Sequence, residues 1–387
     1  MNVKEKDKAY IAGTYSRFPV VLTHGKGSYV WDEDGRRYLD LGSGIGVNIF
    51  GYADEEWTAA VTAELGKLAH TSNLYHTSPC AELAEALVRA TGLKKVFFCN
   101  SGAEANECAI KTARKWGEEH KSPEYYNIIT LKGGFHGRTL AALAATGQEE
   151  YHKDFLPLTP GFVTVDPEDA EGLERAASEH KCAAVMLETI QGEGGVVPLS
   201  ERFLLAAADV AKRHELLLIV DEVQTGMGRT GAFYSYMSFG LSPDIVTSAK
   251  GLGGGLPIGA TLFGERTAEV LTPGTHGSTF GGNPAVCAGA LNVVGRLTPE
   301  FLAEVSRKGE KLASALRGAA GIRSVTGRGL MLGVLTEKPA GDVLSALREE
   351  GVLALKAKDK VRLLPPLTIS DEEISLAADV IRKVCAK

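Results

Sequence analysis

Between residues 95 and 265 short apolar or β-branched runs alternate with stretches of helical periodicity. The runs are VFFC (96–99), NIITL (127–131), AAVML (183–187), LLLIV (216–220) and DIVTS (244–248). They are apolar almost throughout rather than at every second position. That is the pattern of strands covered on both faces, and their alternation with helices predicts a mostly parallel sheet in an α/β chain. The helices have legible starts. Ser101 with Glu104 forms a capping box that predicts a helix to about Glu119, while Ser78 with Pro79 and Ser200 with Glu201 open two more.

After a glycine-rich stretch at 277–284 comes a long helical pattern, with further helix starts at Thr298-Pro299 and at Ser370 with Glu373. Residues 51–285 therefore read as a large ligand-binding domain and residues 286–387 as a smaller α+β domain. Residues 1–50, rich in glycine and aromatics, are too short for a domain and are expected to pack on the small one. No internal repeat or low-complexity tract is visible.

Composition narrows the function classes. A length of 387 residues suits two packed units, and 44% hydrophobic content with no long apolar run excludes a membrane protein. The formal charge of −6 is the opposite of the basic field that holds nucleic acid. The opening MNVKEKDKAY does not read as a secretory signal, so a cytoplasmic location is expected. Six dispersed cysteines without a CxxC read as buried thiols, and the nine histidines lack ligand spacing, so no metal is expected. Glycine is the outlier, 45 of 387 against a usual ~7%, and its clustering points to a site.

GMGRTG (226–231) matches a dinucleotide fingerprint, but DEVQ separates it from the strand, and Gly240 and Pro243 interrupt the segment downstream of it, so it is a weak match. GxxxxGK[ST], HExxH and GxSxG are missing. A different constellation remains. Lys250 lies just after DIVTS within SAKGLGGGLPIG, where five glycines between 251 and 259 let backbone or ligand approach closely. A lysine beside such a loop is ordinarily a solvated one; its company changes the reading. Asp221 ends the most apolar strand, at the carboxyl edge where parallel sheets bind ligands, and a carboxylate there is costly to bury without a cationic partner. Ser101, Gly102 and Ala103 open a helix directly after VFFC, which makes an anion seat, although plain capping by Ser101 explains the same residues. Phe135 and His136 could lie flat on an aromatic ligand or sit in the core. A strand-end lysine, a buried acid, a phosphate seat and an aromatic plate together meet the needs of pyridoxal phosphate: an amine to form an imine with its aldehyde, and an acid to hold the pyridine nitrogen protonated.

The segments FHGRT (135–139), ETIQGEGG (188–195), DEVQTGMGRTG (221–231), SAKGLGGGLPIGA (248–260) and GTHGSTFGGNP (274–284) resemble the class III aminotransferases, most closely members acting on N-acetylornithine. The likeness runs from TYSRFPV (14–20) to RLLPPLTIS (362–370). It implies pyridoxal-phosphate fold type I and a homodimer whose active sites are shared between subunits. It also implies transfer of the terminal amine of N2-acetyl-L-ornithine to 2-oxoglutarate, a step of arginine synthesis. By the same resemblance Lys250 carries the cofactor, Asp221 pairs with its ring nitrogen, Gln224 contacts its ring hydroxyl, and Glu222 and Val223 flank it. Phe135 stacks on the ring, and Ser101, Gly102 and Ala103 hold the phosphate with Thr279 of the second subunit. Ser278 and Tyr15 touch substrate, Arg138 takes a substrate carboxylate, and Arg362 pairs with Glu193 until the oxoacid arrives. The chain departs from the family pattern at Tyr52-Ala53-Asp54 and Thr189, away from this chemistry, and at Ile45, where an aromatic helps others bind a free α-amine. The alternatives are a relative acting on succinylornithine, N-succinyl-diaminopimelate, ornithine or 4-aminobutyrate, and a catalytically silent pyridoxal-phosphate-binding regulator.

Overall fold

The computed structural model describes residues 1–386. An antiparallel meander comes first: β1 (Leu22–Lys26), β2 (Tyr29–Asp32) and β3 (Arg37–Asp40). Next come β4 (Lys95–Cys99), β5 (Asn127–Leu131), β6 (Phe162–Val165) and β7 (Cys182–Leu187), and a small ribbon of β8 (Ile190–Gln191) with β9 (Val197–Pro198). β10 (Leu217–Asp221), β11 (Ile245–Ser248) and β12 (Gly259–Phe263) complete a seven-stranded sheet of order β4-β12-β11-β10-β7-β5-β6. Every residue of β7, β10, β11 and β12 is buried, as continuous apolar runs require. Each fully enclosed Val, Leu or Ile there contributes about 1.5–3 kcal/mol relative to exposure.

The predicted strands all form in a mostly parallel sheet, with two additions. β12 runs antiparallel to both of its neighbours, β11 and β4, because the short glycine loop after β11 turns the chain straight back. β6 and β12 were not anticipated from the sequence. Helices cover the sheet as their patterns dictate. In the helix Glu201–Arg213, Phe203, Leu204, Ala207, Val210 and Ala211 form one buried face, Ser200 accepts from the Phe203 amide at 3.1 Å, and Lys212 and Arg213 lie at the dipole's negative end. In the helix Ser78–Thr91 the N-cap position falls on Thr77, one residue earlier than expected and without a side-chain capping bond, while Ser78 donates to Glu82 at 2.6 Å.

The C-terminal strands are β13 (Ile322–Arg328), β14 (Met331–Thr336), β15 (Val352–Leu353), β16 (Leu355–Ala357) and β17 (Lys360–Leu363). Four of them make an antiparallel sheet of order β13-β14-β17-β16. β15 instead pairs in parallel with β3, so the beginning and end of the chain share one sheet. The Leu41 amide donates to the Leu353 carbonyl at 2.8 Å and the Leu364 amide to Leu41 at 2.6 Å, while Ser28 bonds Glu373 at 2.9 Å.

GMGRTG forms a tight turn rather than a strand-to-helix phosphate loop. Met227, Gly228 and Gly231 have φ of 55°, 80° and 88°, and a Cβ on Gly231 would sit 1.9 Å from Ser306 Oγ. The turn buries Arg229, whose guanidinium donates to the Leu330 and Pro365 carbonyls and ties it to the C-terminal sheet. All six cysteines are free, and five are buried. Among the described residues no His/Cys/Asp/Glu group has the makings of a metal site, and no helix is long and apolar enough to cross a membrane.

Candidate active site

The carboxyl ends of the parallel strands open into a cavity of about 490 Å³. Asp221 ends β10, Glu188 lies just after β7, Lys250 just after β11, and the segments after β4 and β5 supply the other walls. This is the edge where open α/β sheets bind ligands, because helix N-termini and strand-end loops converge there.

Asp221 lies at the floor, 3% exposed. One of its oxygens accepts from Asn106 Nδ2 at 2.7 Å and from His136 Nδ1 at 2.8 Å, and the other from the Val223 amide at 3.0 Å. Asn106 is fixed in turn by its bond to the His136 carbonyl and by the hydroxyl of Thr247, each at 2.7 Å. Burial opposes a charge on His136, but the hydrogen bond and charge of Asp221 prevail and raise its affinity for a proton. The result is an acid held in one orientation by three donors inside the protein.

Lys250 lines the same cavity with φ of 47°, an uncommon backbone state for a residue with a Cβ. Enclosure disfavours its charge, and Arg362 adds to that effect while Glu193 and Asp221 oppose it; the net shift is downward. Among the described residues its amine has no hydrogen-bond partner. Beside it, Arg362 of β17 is 3% exposed and donates to Glu193 at 2.5 Å and to Gln224 at 3.1 Å. Burial works against a charge on Glu193, yet Arg362 holds its carboxyl below the ordinary range. Arg138, in the cavity wall, is exposed, its guanidinium 4.4 Å above the Tyr151 ring and 6.0 Å above Phe135.

Ser101 caps the helix Gly102–His120: its hydroxyl accepts from the Glu104 amide at 3.2 Å and donates to the Glu104 carboxylate at 3.1 Å. The capping reading is therefore correct for the side chain, and the first amides of the helix, at Gly102 and Ala103, face the cavity as donors for an anion. Close approach makes the seat. A Cβ on Gly102 would lie 2.6 Å from Val223, and one on Gly259 would lie 2.2 Å from the Ser101 carbonyl oxygen. Gly259→Ala must push the seat off β12. It is expected to weaken binding of a phosphorylated ligand about tenfold, measured by titrating the apo-protein with pyridoxal phosphate; an unchanged affinity removes Gly259 from this role.

One cavity thus brings together Lys250, Asp221, Ser101, Gly102, Ala103, Phe135, Arg138, Val223 and Gln224, with Glu193 and Arg362 alongside. Glu222 does not join them. Its carboxylate turns away to accept from the Thr225 hydroxyl at 2.6 Å and the Tyr236 amide at 2.7 Å, and burial raises its pKa to about 7. Ser278 is one step removed, bonded to Asn100 at 3.1 Å. Thr279, Tyr15 and Ile45 are exposed on this chain and do not line its cavity. His136 is buried and bonded through Nδ1 to Asp221. Asn106, Glu188 and Tyr151 were not anticipated; a polar Asn on the buried face of a helix was the one available signal.

The family model described as aminotransferase class III matches residues 10–385. The acetylornithine aminotransferase of Haemophilus ducreyi is 49% identical over 387 residues, covering 100% of this chain and 98% of its own. That of Corynebacterium efficiens is 45% identical, covering 97% and 95%. Among solved structures, the ornithine aminotransferase of Toxoplasma gondii superposes with a TM-score of 0.94 at 34% identity, covering 99% of this chain and 93% of that one. The N-acetylornithine aminotransferase of Stenotrophomonas maltophilia gives 0.85 at 38% identity, covering 99% and 98%. With the lysine and the buried acid at strand ends of the seven-stranded sheet, and this likeness over nearly its whole length, the chain belongs to the class III aminotransferases.

Proposed function

We propose that this chain moves the terminal amine of N2-acetyl-L-ornithine to 2-oxoglutarate, giving N-acetyl-L-glutamate 5-semialdehyde and L-glutamate. The observation that carries the reading is the Arg362–Glu193 pair, close enough to Lys250 to act on its charge, together with Arg138 in the wall of the cavity that Lys250 also lines. Class III aminotransferases use pyridoxal phosphate, which when bound supplies an electrophilic carbon and an electron-withdrawing ring. The residues present fit it: an amine with no hydrogen-bond partner among the described residues and a charge disfavoured by enclosure, a fixed buried carboxylate, and helix amides over a glycine that leaves no room for a side chain. Lys250 would hold its aldehyde carbon, Asp221 its ring nitrogen, Gln224 its ring hydroxyl, Phe135 one ring face, and the Gly102 and Ala103 amides its phosphate.

Two substrates share one pocket, and the arginines divide the work. While Glu193 neutralises Arg362, only Arg138 offers a planar fork to a carboxylate, which suits an amine donor with a single carboxylate at its far end. When a dicarboxylic oxoacid enters, Arg362 exchanges Glu193 for the second carboxylate. Lys250, with a lowered hold on its proton, serves as the base that moves a proton at the reacting carbon.

A homodimer completes the reading. Thr279, Phe280, Tyr15, Leu74 and Tyr75 are exposed on the single chain, which supports Thr279, Ser278 and Tyr15 acting at a subunit boundary. Residues 51–285 would then be the cofactor-binding unit, with 286–387 and 1–50 forming the smaller one, in an enzyme of arginine synthesis in the cytoplasm. The test is a coupled assay across acetylornithine, succinylornithine, ornithine and 4-aminobutyrate. The kcat/KM for acetylornithine is expected to exceed that for ornithine by at least about tenfold. Preference for either unacylated amine overturns the assignment.

A further inference from the structure

Glu188 is 5% exposed, faces the cavity, and has no part in the chemistry above. Its two oxygens engage two different loops. Oε1 accepts from the Phe135 amide at 2.9 Å, and Oε2 accepts from the Gly192 amide at 3.2 Å. Phe135 is the aromatic plate; Gly192 precedes Glu193, the partner of Arg362. The two loops already lie backbone to backbone. A Cβ on Gly194 would meet the Gly133 carbonyl at 2.5 Å, and Gln191 donates to the Lys132 carbonyl at 2.9 Å.

We infer that Glu188 is a positioning residue, a clamp that holds the ring-stacking loop at Phe135 and the Gly192–Glu193 arm in one fixed relation. Only an ionised carboxylate accepts freely at both ends; once protonated, one oxygen becomes a donor that faces an amide N–H. The groups that set its charge are burial first, then His136, which favours ionisation, and Asp221, which opposes it; Lys250 also interacts with it electrostatically. Burial prevails and the carboxyl is pushed up to about 7. The clamp is therefore complete above that pH and loosens below it.

Amide hydrogen exchange in the apo-protein tests this without turnover. Protection factors at Phe135 and Gly192 are expected to fall together as pH drops through about 7, while β10 stays protected. In Glu188→Gln one end meets an NH2 group, so one of the two amides loses protection about tenfold and the pH step disappears. Equal protection in wild type and variant, or no step in the wild type, overturns the clamp. The wild-type step alone decides should the variant fail to fold. A second arm rests on the proposed function: the folded variant should bind pyridoxal phosphate about tenfold more weakly than wild type, because its plate is unseated. A wild type that binds none refutes the cofactor reading and leaves the exchange result standing.

Discussion

Lys250→Ala is expected to lower turnover by at least about 10⁴-fold and to remove the borohydride-trapped pyridoxyl mass from the peptide spanning residue 250. No neighbouring amine can substitute. The other cation at this end of the cavity, Arg362, is a guanidinium locked to Glu193 and Gln224. Lys250→Arg should be equally inactive, since a guanidinium keeps its proton at any working pH. Retention of trapped mass in Lys250→Ala, or activity within tenfold of wild type, would remove Lys250 from the reaction and the aminotransferase assignment with it.

Asp221→Asn is expected to cost about 10³-fold in turnover and to destabilise the fold as well. All three partners of Asp221 are donors, from Asn106, His136 and Val223. An asparagine must turn an NH2 group toward at least one of them, leaving a buried donor unsatisfied at a cost of about 1–3 kcal/mol. The loss has a defined pH dependence. Because His136 is raised above its ordinary 6.5 by Asp221, the stabilisation from its charged form is complete below that value and fades as pH rises through the folded-state value. Chemical denaturation should therefore show the largest gap between wild type and Asp221→Asn on the acidic side, narrowing in alkali. A gap that widens with pH contradicts a charged His136.

The parts legible in the sequence are those whose signal is local. The strands at 127–131 and 245–248 announce themselves by apolar runs, and Ser101, Ser200 and Thr298 by their caps. β12 was hidden because its first glycine belongs equally to the loop before it, and its antiparallel placement depends on pairing with β4, far away in sequence. The same holds at the site. Lys250 and Asp221 stand at strand ends and could be read there, but the bond from His136 to Asp221 joins residues 85 apart and that from Glu188 to Phe135 joins residues 53 apart. Glu222, which the resemblance places beside the cofactor, turns its carboxylate to Thr225 and the Tyr236 amide, an orientation that no local pattern announces.

The pairing of β3 with β15 has a consequence for biosynthesis. On the ribosome, β1 to β3 emerge early and must wait for residues near 353 and 364 before their open edge finds its partner. The seven-stranded sheet has all its strands once residue 263 has left the exit tunnel, so it can assemble first. Until synthesis is nearly finished the nascent chain displays an unpaired strand edge, the feature that invites intermolecular β-pairing. A translational stall anywhere between residues 264 and 352 would leave a product with a complete central sheet and a sticky N-terminal ribbon, a natural client for chaperones.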